Sequence, residues 1–226
     1  MNDKVSIILP TRGRWEILKE RALKSVLNQT HKNWELIIVH DGMSDEGIIV
    51  PDDRVQVHYT DKVYTYPKDD KKAEWLSGPC NALNYALSKV NSDSDYIARL
   101  DDDDQWHDDM LETMIKFIKS EDYDFVSACW DNGEYVMPPY TLHELKLNDV
   151  GFLGGVQTWL YRSKFKYFMY DGKSWKKEWN ANNELDWFER FVKDGYKKIG
   201  FIGNSVCTIL PRPGETEIGS KAYAKE

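Results

Sequence analysis

The sequence has few cysteines and no long hydrophobic run. Its three cysteines, Cys80, Cys129 and Cys207, are far apart and form no CxxC pair. That pattern favours neither a disulfide framework nor a zinc site, and it predicts a reducing environment. No apolar stretch approaches the roughly 18 residues that cross a bilayer, and no signal-like segment precedes the apolar residues 5–9. We therefore expect a cytoplasmic protein with no integral membrane segment.

An excess of positive charge is also missing. The 226 residues carry 38 acidic and 30 basic side chains, a formal net charge of -8. Proteins that bind nucleic acids present a basic face to the phosphates, so we expect no nucleic-acid partner. An anionic ligand would need local basic side chains or a cation to offset the overall negative field.

What the sequence does contain is a regular alternation of strand and helix patterns. Apolar periodicity predicts strands over residues 4–9, 35–39, 55–59, 96–100, 124–130, 156–161, 198–202 and 206–210. It predicts helices over residues 15–27, 78–90, 110–118 and 184–193, and a polar loop over 60–77. This order indicates an α/β fold with a single Rossmann-like, mostly parallel sheet flanked by helices on both faces. No repeat or linker is visible, so we expect one domain over residues 1–226.

The most distinctive local feature is a run of four aspartates, Asp101 to Asp104, directly after the predicted strand 96–100. In open α/β sheets, ligands bind beyond the carboxyl ends of the strands. Asp101 and Asp103 point the same way on an extended turn and can share one hard cation, such as Mg²⁺. The alternative is a solvated acidic helix start, and Asp104 is expected only to cap the following helix.

Two other interpretations of the acidic turn fit the sequence less well. An EF-hand loop needs glycine where Trp106 stands, and a strand rather than a helix enters the turn. An aspartyl-nucleophile phosphatase wants threonine or valine where Gln105 stands, which weakens that alternative without removing it.

Three separated blocks resemble the GT-A fold glycosyltransferases of family 2, in the family's order. The first block is VSIILPTRGR (5–14), with SVLNQT (25–30) and WELIIVHDG (34–42). The second is NALNYAL (81–87), leading to YIARLDDDDQW (96–106), and the third is NELDWFER (183–190). The resemblance implies a GT-A fold and a metal-dependent, inverting transfer of a sugar. The donor would be a nucleoside diphosphate sugar, most simply a UDP sugar, and the acceptor a hydroxyl of a glycan or other molecule, as in polysaccharide biosynthesis.

The same resemblance divides the chain into a nucleotide-binding half (1–106), an acceptor and catalytic half (107–210) and a tail (211–226). It implies that Asp41 accepts the ring N–H of the base and that Asp103, helped by Asp101, binds Mn²⁺ or Mg²⁺. The remaining donor contacts it implies are Pro10, Thr11, Arg12, Arg14, Asn81, Asp101 and Asp102. His40 stands where the family usually has an acidic residue, so it is expected to be packed or solvent-facing.

For catalysis, the resemblance assigns the general base to Glu184. The family usually has Glu-Asp where this chain has Asn183-Glu184, which leaves Asp186 as the second candidate. Asp186 lies two residues after Glu184 on the predicted helix, so its side chain would face a different direction from that of Glu184. The alternative is that Glu184 only opens its helix. Residues 154–159 match the family's small-residue segment, where acceptor and sugar meet, and Trp130, Trp159, Trp175 and Trp179 are candidates for stacking on sugars.

Two other functions stay open at this point. A sugar-nucleotide pyrophosphorylase needs a glycine-rich loop after the first strand, and residues 10–14 offer one glycine. A carbohydrate-binding module would use the acidic turn for Ca²⁺ and would bind glycans without any nucleotide.

Overall fold

The computed structural model describes residues 2–44, 47–61, 73, 76–141, 151–176 and 182–216. Most of the expected polar loop at 60–77, Trp179 and residues 217–226 of the tail lie outside the described residues.

Within the described ranges, ten strands form two sheets. In chain order they are β1 (Val5–Thr11), β2 (Trp34–His40), β3 (Val55–Tyr59), β4 (Tyr96–Arg99), β5 (Asp104–Trp106), β6 (Phe125–Asp131), β7 (Tyr140–Thr141), β8 (Phe152–Leu153), β9 (Leu160–Arg162) and β10 (Ile199–Ile209). Eight of them make the central sheet, in the order β3-β2-β1-β4-β9-β6-β10-β5, and β7 pairs with β8.

The central sheet is mostly parallel, as expected. β1 runs parallel to β2 and β4, β2 to β3, and β6 to β10, whereas β9 and β5 are antiparallel to their neighbours. The strand predicted over 156–161 is wrong in its first half, because Val156–Thr158 is a short 3₁₀ turn in which the Thr158 hydroxyl bonds back to the Gly155 carbonyl at 2.7 Å. The two predicted late strands are one strand, β10, with register shifts near Ser205.

Helices cover both faces of the sheet. They are α1 (Trp15–Leu18), α2 (Lys24–Asn28), α3 (Cys80–Lys89), α4 (Met110–Ser120) and α5 (Asn183–Lys193), with a π-helical segment, Lys19–Leu23, between α1 and α2. Along β1, Ile7 and Leu9 pack with α1, α2 and α4, while Ile8 packs with α3 and α5. Strands buried on both faces carry the continuous apolar runs seen in the sequence.

The carboxyl ends of β1, β2 and β4 lie side by side and carry the turns that form the site. One expectation fails here: Asp104 does not cap a helix but opens β5, which pairs with β10. The reason is Trp106, which is buried and donates its indole N–H to the Gln157 carbonyl at 2.6 Å. Within the described part of the chain, no helix is long and apolar enough to span a bilayer.

Candidate functional site

A cavity of about 990 Å³ opens at the carboxyl ends of the parallel strands. Its wall includes most of the predicted site residues, namely Pro10, Thr11, Arg12, Arg14, Asp41, Asp101, Asp103 and Glu184. It does not include Asn81, Asp102 or Asp186. The structure therefore brings most of the predicted donor residues and one of the two candidate bases, Glu184, to one cavity.

Asp41 follows β2 and is 2% exposed. Its Oδ1 receives hydrogen bonds from Asn81 Nδ2 at 3.2 Å and from Thr60 Oγ1 at 3.4 Å. Its backbone N–H donates to the Thr11 carbonyl at 2.9 Å, which joins the ends of β1 and β2. Asn81, predicted as a donor contact, is not part of the cavity wall and orients the Asp41 carboxylate.

Asp102, predicted as a donor contact, is fully buried beneath the acidic turn and is not part of the cavity wall. Its Oδ2 accepts from Thr11 Oγ1 at 2.7 Å and from Arg14 Nε at 3.0 Å, and a second guanidinium nitrogen of Arg14 pairs with its Oδ1. Residues 101–104 form a β-turn in which the Asp104 N–H donates to the Asp101 carbonyl at 3.3 Å, and Asp102, at its second position, bonds inward to Thr11 and Arg14. Asp102 therefore fixes Arg14 at the cavity wall.

Asp103 faces the cavity and lies between two arginines. Arg212 Nε donates to its Oδ2 at 2.6 Å, and Arg14 Nη1 lies 3.3 Å from the same oxygen. Burial raises the pKa of Asp103, but the two guanidinium groups outweigh it and hold that pKa below its usual value. Arg21 donates to the carbonyls of Asp103 and Leu210, so it ties the segment that carries Arg212 to the acidic turn.

Asp104 also borders the cavity and is 6% exposed. Burial and the charges of the three preceding aspartates raise its pKa well above its usual value. No three His, Cys, Asp or Glu side chains gather as a metal cage in the described ranges. The oxygen-only donor set and the ionised Asp103 nevertheless fit Mn²⁺ or Mg²⁺, which bind one or two carboxylates and complete their shell with substrate phosphates.

Arg99, the last residue of β4, joins the acidic turn to the predicted base. It is 1% exposed, and its Nε donates to Asp101 Oδ1 at 3.1 Å while its Nη2 donates to Glu184 Oε1 at 2.9 Å. Sequence reasoning did not single out Arg99. The visible signal was an arginine inside an otherwise apolar strand, since a buried charge needs partners.

Glu184 lies in the first turn of α5, and Asn182 caps that helix by accepting the Leu185 N–H at 2.9 Å. Burial raises the pKa of Glu184, and Arg99 opposes that rise without cancelling it. Asp186 is fully buried, and its Oδ2 accepts from Arg190 Nε at 2.9 Å. Of the two candidate bases, Glu184 alone lines the cavity.

The small-residue segment 154–159 forms another part of the wall. A Cβ on Gly154 would lie 1.7 Å from the Ala128 carbonyl oxygen, so only glycine fits there. Trp130 and Trp159 both line the cavity; Trp130 is half-buried, whereas Trp159 is 1% exposed and also packs in the core. The side chain of Trp175 lies outside the described residues.

Comparison with known proteins identifies the lineage. The model of the family described as "Glycosyl transferase family 2" matches residues 6–184. The chain belongs to glycosyl transferase family 2. Its structure also resembles Staphylococcus aureus TarS 1-349 in complex with UDP (TM-score 0.61, 16% identity, 93% of this chain and 61% of that one). It resembles the mannosyltransferase PcManGT from Pyrobaculum calidifontis in complex with GDP-Man and Mn²⁺ as well (TM-score 0.60, 14% identity, 92% and 57%). The expected GT-A fold is confirmed.

Proteins that are similar in sequence are described as glycosyltransferases. A putative colanic acid biosynthesis glycosyl transferase, WcaA of Escherichia coli, is 30% identical over 97% of this chain and 76% of its own length. An uncharacterized glycosyltransferase of Rickettsia bellii is 32% identical over 59% of this chain. The matched region spans 18% of that Rickettsia relative. The expectation of a glycosyltransferase family is thus confirmed.

Proposed function

We propose that this member of family 2 transfers a sugar from a nucleoside diphosphate donor to an acceptor hydroxyl with inversion. UDP is the favoured nucleotide, because a similar structure holds UDP and the carboxylate of Asp41 suits a base with a ring N–H donor. A glycan is the favoured acceptor, because the E. coli relative is described as acting in the biosynthesis of a polysaccharide.

One observation carries the proposal. At the cavity wall, the Arg99 guanidinium pairs with both Asp101 and Glu184. One guanidinium therefore holds a carboxylate on the donor side and the carboxylate of the proposed base. Asp41 and Asp103 line the same cavity. A donor can therefore reach the acidic turn while an acceptor hydroxyl reaches Glu184.

In this reaction, Glu184 removes the proton of the acceptor hydroxyl as its oxygen attacks the anomeric carbon. The bond between that carbon and the diphosphate oxygen breaks, and the diphosphate leaves with the electron pair. Arg14 and Arg212, held beside Asp103, supply positive charge near the leaving group. Mn²⁺ or Mg²⁺ at Asp103 would add Lewis-acid stabilisation of the same charge.

Thermal-shift and calorimetric titrations with UDP, GDP, dTDP and CDP, each with and without Mn²⁺, test the donor site. We expect stabilisation to be largest with UDP and Mn²⁺ together. Asp103→Asn should abolish the Mn²⁺-dependent part, whereas a matched change at the exposed Asp108, Asp108→Asn, should leave it intact. Binding of glycans without nucleotide would instead support a Ca²⁺-dependent binding module. Formation of nucleotide sugar from a sugar phosphate and UTP would support a pyrophosphorylase.

A further inference from the structure

His40, the last residue of β2, bridges two turns of the site. It is 6% exposed, and its Nε2 lies 2.9 Å from the backbone nitrogen of Gly13 while its Nδ1 lies 2.8 Å from the carbonyl oxygen of Gly42. The ring stacks on Trp15, with centroids 5.3 Å apart and planes 19° apart, and Tyr59 packs at 5.8 Å. Of the two alternatives expected for His40, packed or solvent-facing, the structure shows the packed one.

The two hydrogen bonds determine the protonation state of the ring. A backbone N–H can only donate, so Nε2 must accept from Gly13 with its lone pair. A carbonyl can only accept, so Nδ1 must carry the hydrogen that it donates to Gly42. His40 is therefore the neutral Nδ1–H tautomer, and its ring forms one hydrogen bond with each turn.

The two turns bridged by His40 carry the proposed nucleotide contacts. Gly13 follows Arg12 after β1, and Gly42 follows Asp41 after β2. Both glycines have positive φ, 70° and 96°, a conformation that a side chain would strain. The main chains of β1 and β2 are already joined by the Asp41 N–H, which donates to the Thr11 carbonyl at 2.9 Å. One step further along each turn, the His40 ring joins Gly13 to Gly42.

We propose that His40 is a positioning residue for the nucleotide, because it holds the Arg12–Gly13 turn to the Asp41–Gly42 turn. The inference rests on the proposed function and names a part of the donor site outside the acidic turn. An acidic residue at this position can accept from Gly13 but repels the Gly42 carbonyl. The imidazole satisfies both groups.

The substitution His40→Phe separates packing from hydrogen bonding, since it keeps a ring on Trp15 and removes both hydrogen bonds. We expect the Kd for UDP to rise about tenfold, the size expected for losing one to two neutral hydrogen bonds. The kcat at saturating donor should change less than about threefold, because His40 contacts neither Arg99 nor Glu184. The control His58→Phe, on β3, where His58 bonds the Gln56 side chain, should leave the Kd unchanged.

A measurement on the unmodified protein covers the case in which His40→Phe does not fold. Long-range ¹H–¹⁵N spectra at about pH 8 should show the Nδ1–H tautomer for His40, and an Nε2–H signature would overturn the proposal. An unchanged Kd in a folded His40→Phe variant would also overturn it. If UDP does not bind the wild type at all, the proposed function fails first. If Asp41→Asn weakens UDP binding while His40→Phe does not, only the role of His40 fails.

Discussion

Arg99 Nη2 donates to Glu184 Oε1 at 2.9 Å although the two residues lie 85 positions apart in the chain. The guanidinium is buried and also reaches Asp101, so the charge of the proposed base and the charge of the acidic turn depend on one side chain. Buried charges are stable only when they are paired, which explains why these three groups lie together. The pairing has consequences for activity that can be measured.

Replacing the proposed base should stop transfer without stopping donor binding. Glu184→Gln keeps the shape of the side chain but cannot take a proton, so we expect kcat to fall by about 10² to 10⁴. Glu189→Gln on the same helix, where Glu189 pairs with Lys193 at 2.6 Å, is the control and should retain activity. Steady-state kinetics with UDP sugar and calorimetry with UDP distinguish the two effects. Full turnover by Glu184→Gln would rule out this base.

Arg99 should set the pH dependence of transfer. Burial raises the pKa of Glu184, and Arg99 counteracts that rise, so removing the guanidinium should raise the pKa further. The base works only when ionised, so activity falls as the pH falls through this pKa. The acidic limb of the kcat profile should therefore move to higher pH in Arg99→Met and move less in Arg99→Lys. An unmoved limb in Arg99→Met would contradict the coupling.

Gly154 should tolerate no side chain. Its Cβ position clashes with the Ala128 backbone and with the Thr158 hydroxyl, at 1.7 and 2.7 Å. Gly154→Ala forces residue 154 away from the Ala128 backbone and the Thr158 hydroxyl, and we expect a loss of about 3 kcal/mol or more in the free energy of unfolding. Gly151→Ala is the matched control, because nothing lies within 4 Å of its Cβ position. Urea denaturation measures both; equal stability of the two variants would mean that the wall is not closely packed at Gly154.

Asp131 should stabilise the bulged strand β10 in a pH-dependent manner. Its carboxylate accepts from Ser205 at 2.6 Å and Thr208 at 2.9 Å, and His107 lies 3.1 Å away. Burial raises the pKa of Asp131, but these partners lower it below its usual value overall. The contribution is therefore present above the unfolded-state pKa and is lost as the pH falls through the lower folded-state pKa. We expect Asp131→Ala to cost about 1 to 3 kcal/mol at neutral pH.

The measurement is the free energy of unfolding of Asp131→Ala and wild type at neutral pH and again in acid. The difference between them should shrink as the pH falls. A difference that is the same at both values would indicate that packing, not the carboxylate charge, is what matters. Exposed Asp108→Ala serves as the control.

Local patterns in the sequence were enough to predict much of this architecture. The apolar runs before Pro10, His40 and Asp101 predicted three strands whose carboxyl ends carry the turns of the site, and the structure has them. The acidic turn and Glu184 were predicted from motifs, and both reach the cavity. Strand periodicity and strand-end turns depend on neighbouring residues, which is why they can be recognised in one dimension.

Only the tertiary structure decided how the charged groups are divided among partners. In the folded protein, Asp102 pairs with Arg14, Asp103 with Arg212 and Glu184 with Arg99. The His40 ring forms hydrogen bonds with Gly13 and Gly42. Asp104 lies in a strand because Asp104–Trp106 pairs with β10, which comes about 100 residues later in the chain. These pairings join residues that are distant in sequence. The partner of each acidic side chain depends on how the strand ends align when the sheet and its helices pack. That alignment is a property of the whole core, and no local pattern encodes it.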